Sequence, residues 1–352
     1  MQEENRQGKA GKEFMDRIVY RSLGSPSKRL KVGPARGLDN AVVALGHGRV
    51  LVLTVDPVSI IPAVGMKLSA WLSVHLIASD LVTSGIRPEF ATFSYNFPPE
   101  LTPAEREEYV RSMGDECSKL GVTIVAGNTG TYPGGAFTVI GAGTMFGVGA
   151  EQEYVTPAMA RVGDTILVTK HAAIEATASL SMSFPRYLAR KTSRSVLRKA
   201  REMVGSCTTV DDALTAKKAG LGRGGVTSMH DATEGGVLGA LEEMATASKK
   251  AFEVELSSIP VSSEATEVCA AFGIDPLKTM GEGALLITCN PARVPELSRA
   301  MLRARIPISE IGTVNEGEGL LIEHSDGRVK RFEPAPDKYW RAYERATRLG
   351  LN

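Results

Sequence analysis

Three aspartates in the first half of the chain stand beside apolar runs. Asp39 lies in Gly37-Leu38-Asp39-Asn40-Ala41-Val42-Val43, Asp56 ends a strand-like run from Arg49, and Asp80 sits among apolar neighbours on a helix-like run. A carboxylate next to a buried element is unfavourable unless it is paired or bound to a cation. Mg2+ takes oxygen ligands of this kind and shares its remaining positions with phosphates. Taken singly, each acid also fits the commoner role of a cap or loop residue. In the second half, Met229-His230-Asp231-Ala232-Thr233-Glu234-Gly235-Gly236 reads as a strand ending in His-Asp, a short turn, and a double glycine opening an amphipathic helix. Asp231 and the helix N-terminus would then face one cleft, a ready site for phosphate and metal. A plain strand-to-helix turn capped by Thr233 fits the same residues. Gly281-Glu282-Gly283 flanks an acid with two permissive positions, so Glu282 is either a turn acid or a base. Ala126-Gly127-Asn128-Thr129-Gly130 reads as a glycine loop that lets N–H groups approach a phosphate. Neither a P-loop nor a dinucleotide fingerprint occurs, and Gly141 and Gly143 offer only G-x-G.

Strands and helices must carry these residues, and the patterning supplies them. Arg49 to Asp56 is β-branched and ends before Pro57, as a strand entering a loop would. Lys67 to Thr83 places Leu68, Leu72, His75, Leu76 and Ser79 at helical spacing, with Gly85 behind as a stop. Phe90 to Asn96 alternates like a strand, and Thr102-Pro103-Ala104-Glu105 opens a helix running to about Leu120. Gly121 to Ala150 contains no charged residue, which invites a membrane reading. Its polar and Gly/Pro interruptions favour two buried strands, Val122 to Ala126 and Phe137 to Ile140, joined by a loop. A Gly/Pro-bearing connector from Gly147 to Gly163 marks the domain boundary. Beyond it come a strand at Asp164 to Thr169, a basic helical region from Ser183 to Val204, and a helix near Val210 to Ala219. A strand at Val226 to Met229, a helix at Gly236 to Ala247, strands at Phe252 to Leu256 and Ala284 to Thr288, and a strand-turn region at Gly319 to Val329 complete it. Interleaved strands and helices on both sides of a linker indicate α/β or α+β layers.

With 352 residues, and roughly 150 per domain, about two domains are expected. The net charge of +1 gives no bulk field favouring nucleic acid or an anionic membrane. Arg186, Arg190, Lys191, Arg194, Arg198, Lys199 and Arg201 read as a solvated helix face rather than an RNA site, because no aromatic platform accompanies them. Cys117, Cys207, Cys269 and Cys289 are far apart and form no CxxC, so neither a zinc knuckle nor a redox pair is expected, and a reducing cytoplasm is the default location. The first dozen residues are polar without an apolar signal core and read as a flexible tail.

The motifs, taken in order, resemble the ATP-dependent superfamily of aminoimidazole ribonucleotide synthetase, thiamine-monophosphate kinase, selenophosphate synthetase and the hydrogenase-maturation protein HypE. The likeness to this PurM-like superfamily runs from about Gly33 to Val329, closest to the HypE-type and archaeal AIR synthase-related branch. Its G-D-D-A-A-V aligns with Leu38 to Val43, its T-T-D with Thr54-Val55-Asp56, and its A-V-H-G-T-V-N-D-L-A with Ser73 to Val82, which carries over His75 and Asp80. Its V-A-G-D-T-K meets Val125 to Gly130, and its H-D-x-T-x-G-G is matched in full by His230 to Gly236.

The resemblance implies a two-domain PurM-like α/β (α+β) fold. A flexible tail over residues 1–32 would precede an ATP-binding and dimerisation domain over 33–150 and a second α/β domain over 160–345. It implies a homodimer built on the N-terminal sheets, with ATP and Mg2+ in a cleft between the domains and across the dimer. Asp39, Asp56, Asp80 and Asp231 would hold metal. Asn40, Gly127, Asn128, Thr129, His230, Thr233, Gly235 and Gly236 would join them around the nucleotide, with His75 and Glu282 as acid/base candidates. The shared chemistry is attack of an amide, carbonyl or phosphate oxygen on the γ-phosphate. His75 fits a packed dimer-seam histidine equally well.

Four departures stand out. The HypE-type chain that dehydrates a group on its own C-terminal cysteine ends in that residue, whereas this sequence ends Arg348-Leu349-Gly350-Leu351-Asn352. Asn40 and Asn128 replace carboxylates, and Gly130 replaces a lysine. A phosphorylating enzyme without the terminal-cysteine chemistry is the reading these residues support, and a nucleotide-binding maturation factor or sensor that docks a partner is the alternative. Lys28, Arg29 and Lys31 would supply phosphate contacts if the tail folds over ATP.

Overall fold

Alternation builds the first half of the molecule. In Arg49–Ser59, Val50, Val52 and Thr54 are buried while Arg49 and Val55 are exposed, the period of a strand with one face inward. The computed structural model describes residues 8–135 and 137–351, so residues 1–7 of the expected tail lie outside it. The rest of that tail is not bare coil. Helix α1 (Lys12–Arg17) is supported by the i,i+4 pairs Lys12–Asp16 and Glu13–Arg17, and strand β1 (Leu30–Val32) pairs antiparallel with its neighbour.

Strands β2 (Ala41–Gly46), β3 (Arg49–Ser59), β4 (Phe90–Phe97), β5 (Thr123–Thr131) and β6 (Val139–Ala150) complete a six-stranded sheet of order β1-β2-β3-β6-β4-β5. Helix α2 (Gly65–Val82) packs on β3 and β6, and α3 (Pro103–Leu120) packs on α2 and β5. The reciprocal capping box of Thr102 and Glu105 fixes where α3 begins.

Two sequence expectations are corrected here. Strand β3 continues through Pro57, because β2 pairs only as far as Leu53 and leaves an open flank where proline is tolerated. The glycine "loop" Ala126 to Gly130 lies within β5, paired in parallel with β4 from end to end, and this strand is an exposed edge instead of a buried one. Gly127 permits that pairing, since a Cβ there would stand 2.8 Å from the Phe93 carbonyl.

The second half forms a seven-stranded sheet from β7 (Thr165–Thr169), β8 (Val226–Asp231), β9 (Ala251–Glu255), β10 (Leu285–Cys289), β11 (Ile308–Asn315), β12 (Gly319–Glu323) and β13 (Val329–Arg331), in the order β13-β12-β9-β11-β7-β10-β8. Its helices are α4 (Ile174–Ser183), α5 (Pro185–Leu188), α6 (Arg194–Glu202), α7 (Val210–Lys217), α8 (Gly236–Ser248), α9 (Ser263–Phe272), α10 (Val294–Arg303) and α11 (Tyr339–Arg348). The fold is therefore a two-sheet α/β architecture. One core cluster runs through both halves, joining Val74, Ile77 and Leu81 of α2 to Ala213 of α7, Met229 of β8 and Ile287 of β10. Among the described residues no helix is long and apolar enough to cross a membrane.

Tyr109 of α3 is fully buried, and its hydroxyl donates to the Ser59 carbonyl at 3.1 Å, pinning the helix to the end of β3. Tyr109→Phe should cost about 1 kcal/mol by loss of that bond. Tyr109→Ala should cost about 3–5 kcal/mol by adding a cavity. Urea unfolding monitored by circular dichroism measures both.

Candidate active site

The last two residues of β8 are the centre of the site. All of β8 is buried, so His230 and Asp231 leave water together, 3% and 0% exposed. Asp39 reaches them from the loop ahead of β2. Its Oδ1 stands 2.6 Å from His230 Nδ1, and ligand atoms of Asp39, His230 and Asp231 lie within 4.8 Å of one another. On the other side of the ring, His230 Nε2 is 3.2 Å from Glu243 Oε2 on α8. Burial disfavours a charged imidazole, but the Asp39 and Glu243 carboxylates outweigh it and hold the His230 pKa well above its ordinary value. Burial would likewise raise Glu243; the His230 hydrogen bond and the Lys9, His230 and Arg36 charges bring it down to about 2.

Close approach of the two halves depends on Gly37. It has φ +72°, and a Cβ there would stand 2.7 Å from the Glu243 carbonyl. Beside it Arg36 pairs with Glu242 at 2.8 Å. Asp80, near the end of α2, is tied in through Thr54, whose Oγ1 lies 2.8 Å from the Asp39 carbonyl and 3.2 Å from Asp80 Oδ2. Burial and the carboxylates of Asp231, Asp56 and Asp39 push Asp80 well above the usual carboxylate range. Burial lifts Asp56 to about 6 against the opposing charge of Lys9. Burial, then Asp39, lifts Asp231 to about 7. Glu282 is buried and raised by desolvation and by Asp231, Glu175, Asp80 and Asp56.

Asp39, Asn40, Asp80, His230 and Asp231 thus gather as one cage, Asp56 and Glu282 lie within the reach of its charges, and Thr233 stands at its edge through Lys9. The donor set suits a divalent cation. Asp39 Oδ2, both Asp231 carboxylate oxygens, Asn40 Oδ1 and Glu282 Oε2 are buried without a hydrogen-bond partner. Asn40 also has work that an aspartate could not do: its Nδ2 donates to the Asp80 carbonyl at 3.1 Å and to Thr83 Oγ1 at 3.0 Å.

Other expected residues fall elsewhere. His75 is not in the cage. It stacks on Trp71, its Nδ1 is 3.0 Å from Thr208 Oγ1, and burial lowers its pKa to about 4, so it is a neutral residue bridging α2 to the segment before α7. Gly127, Asn128 and Thr129 lie on edge strand β5, which belongs to no part of this cage within one chain. The α8 N-terminus is a poorer phosphate cradle than the glycines suggest. The Gly235 N–H is taken by Asp337 Oδ2, that of Gly236 by the Thr233 carbonyl and that of Leu238 by the Leu277 carbonyl. Thr233 does not cap α8, whose flanking Gly235 has φ +90° and no side-chain cap. Gly236 at φ +64° leaves no room for a Cβ, which would be 2.7 Å from the Thr279 carbonyl.

Sequence reasoning missed Glu243, Glu175 and Lys9. Glu243 lies on the polar side of an amphipathic helix, where an acid is ordinary. Glu175, lifted to about 8 by burial and then Asp337, lies in the first turn of α4, where acids are common.

The chain belongs to the AIR synthase related protein family. That family's N-terminal domain matches residues 37–148 and its C-terminal domain residues 161–324, in agreement with the PurM-like motifs. A selenide, water dikinase from Methanococcus maripaludis is 26% identical over 307 residues, 83% of this chain and 88% of that protein. A carbamoyl dehydratase HypE from Bradyrhizobium diazoefficiens is 27% identical over 271 residues, covering 76% and 74%. Among solved structures, a HypE–HypF complex matches with a TM-score of 0.72 at 19% identity over 92% of this chain and 99% of that one. AaThiL complexed with AMPPCP and TMP matches with a TM-score of 0.70 at 20% identity over 94% and 99%. These structures share the fold.

Asp56 and Asp231 bind their protons more tightly folded than unfolded, where a carboxylate titrates near about 4. The folded state then holds more protons across the interval from about pH 4 to about 7, so its stability falls as pH rises through that window. His230, raised from its ordinary value, acts with the same sign. In chelator, the melting temperature should decline from about pH 5 to about pH 8. Mg2+ should restore more of it at the alkaline end, and Asp231→Asn should flatten the slope; differential scanning calorimetry measures all three.

Proposed function

We propose that this chain is an ATP- and Mg2+-dependent enzyme that activates an amide, carbonyl or phosphate oxygen of an acceptor by phosphoryl transfer. The observation that carries this reading is the convergence of Asp39, Asp56, Asp80 and Asp231 from both halves around buried, unpartnered oxygens. The family membership supports it, as do the kinase and dehydratase names of the relatives and the titles of structures of HypE in complex with ATP and of AaThiL with AMPPCP and TMP.

Mg2+ bound by these aspartates would offset the charge on the phosphates and on the transferred group. The chain's own part is positional. Asp39 is fixed through His230, Asp231 by its place at the end of buried β8, and Asp80 through Thr54 and Asn40. Burial, then the charges of Asp231 and Glu175, raises the proton affinity of Glu282, and its Oε2 is free of hydrogen bonds, which suits it to exchange a proton with the acceptor. Cys117, Cys207, Cys269 and Cys289 are all buried and free. Burial pushes Cys117, Cys269 and Cys289 up to about 12, so none of these three is a thiolate that could carry the acceptor group.

The second copy implied by the motifs would cover the open edge and face of the first sheet, where Val55, Ile124, Val125 and Val139 are exposed. In that arrangement Gly127, Asn128 and Thr129 reach a site across the dimer. A second reading, a nucleotide-binding maturation factor that docks a partner, draws on the HypE–HypF complex. Asn40 lends it less weight than its replaced carboxylate suggests, because the amide is used as a donor.

Calorimetric titration with a non-hydrolysable ATP analogue and Mg2+ tests the site. Wild type should bind, and Asp80→Asn and Asp231→Asn should each weaken binding at least about tenfold, about 1.4 kcal/mol. Unchanged affinity in both variants would falsify the assignment. ADP formation with acceptor candidates separates the enzyme from the sensor, which binds without turnover.

A further inference from the structure

The chain places one of its own cations at the mouth of the cage. Gly8 and Lys9 lie against the turn that follows β8. Gly8 has φ +105°, a backbone conformation that favours glycine, and lies against the Glu234 carboxylate, where a Cβ would stand 2.5 Å from Oε1. The Lys9 N–H donates to Glu234 Oε2 at 2.9 Å, and the Trp340 indole donates to the same oxygen at 3.4 Å. Glu234 is thereby a clip for this segment. From it the Lys9 side chain, half exposed, brings Nζ to 2.8 Å from Thr233 Oγ1 and 3.9 Å from Glu243 Oε2.

Beyond its bond to Thr233, an ammonium has little reason to rest there except for the carboxylates. Thr233 precedes the N-terminus of α8, the positive end of a helix, which disfavours a cation. The carboxylate paired with Lys9 is that of Glu243, which also meets His230, and His230 in turn meets Asp39 and Asp231, so the charges of the cage reach the ammonium against the penalty of its partial burial. Among the described residues, the ion pairs made by Asp39, Asp231 and Glu243 are with His230 and Lys9 alone. His230 is enclosed and fixed, whereas Lys9 sits at the surface on a short strap. A divalent ion bound by the same carboxylates would remove the attraction and add repulsion between like charges.

We propose that Lys9 is a built-in counter-ion of the metal-free cage, and that the strap formed by Gly8 and Lys9 and a divalent cation exclude one another. Metal entry releases the strap from Glu234, and strap closure raises the metal concentration needed to fill the site. This rests on the reading of the cage as a divalent-metal site.

Manganese binding without nucleotide, followed by calorimetry, tests it on the full chain. If the strap is closed in about nine molecules of ten, Lys9→Met should tighten Mn2+ binding about tenfold. Glu234→Gln, which loosens the clip and leaves Lys9 in place, should shift affinity in the same direction. In wild type, Mn2+ should also speed tryptic cleavage after Lys9, a readout independent of catalysis. Affinity unchanged or weakened in Lys9→Met, or cleavage after Lys9 that Mn2+ does not accelerate, overturns the proposal. Absence of Mn2+ binding in wild type and both variants overturns the metal-site reading along with it.

Discussion

Asp39, Asp56, Asp80, Asp231 and Glu282 are taken out of water within reach of one another's fields. Burial raises the proton affinity of Asp56, Asp80, Asp231 and Glu282, so an offsetting charge is needed to ionise them. Much of the surrounding structure follows from this. Some of these groups hold their protons more tightly, the enclosed His230, drawn toward its charged form, stands between Asp39 and Glu243, and a surface lysine leans in. A site with this much uncompensated negative charge is built for cations, because a cation is what removes the conflict. The rest of the fold has to hold the conflict in place while it lasts.

Rigid elements do so. Asp231 and His230 end a strand buried on both faces, Asp80 is on a helix enclosed by sheet and helices, and Asp56 lies in a strand paired along β6. The loop with Asp39 is the least regular of the carriers, and it is fixed twice, by Gly37 against the backbone of α8 and by Thr54 bonded to the Asp39 carbonyl. Core side chains run unbroken from α2 through β8 to β10, so the two halves that supply the acids share one packed interior. A change in spacing between them would be resisted by packing before it was felt at the carboxylates.

The sequence disclosed the acids because each interrupts an apolar run, and it disclosed α2, α3, β4 and α8 because periodicity and caps are local. It could not disclose what depends on tertiary pairing. Gly127 looks like a loop glycine until its parallel neighbour shows that it lets the strands approach. Pro57 looks like a strand end until the register shows that β2 has already stopped pairing. His75 matched a motif and still lies apart from the acids, since motif spacing fixes its place on α2 while its direction is set by what Trp71 and Thr208 offer. Lys9 and Glu243 carry no local signal at all: one is a polar residue in a polar stretch, the other one of two adjacent acids on a helix, whose half-buried place against His230 only the tertiary packing reveals.

Commitment of the α8 N–H groups changes how anion binding has to be understood in this molecule. A double glycine ahead of a helix is commonly a phosphate cradle because its N–H groups are free. Here Gly235, Gly236 and Leu238 spend theirs on Asp337, Thr233 and Leu277, and the glycines are required by positive φ and by close contact with the segment around Thr279. These three N–H groups are therefore not free for a phosphate, and the proposed phosphate recognition would rest on cations held by the carboxylates. The acids are therefore no accessory to a preformed anion hole. On the reading proposed above, they would be what holds the cations that offset the charge of a triphosphate.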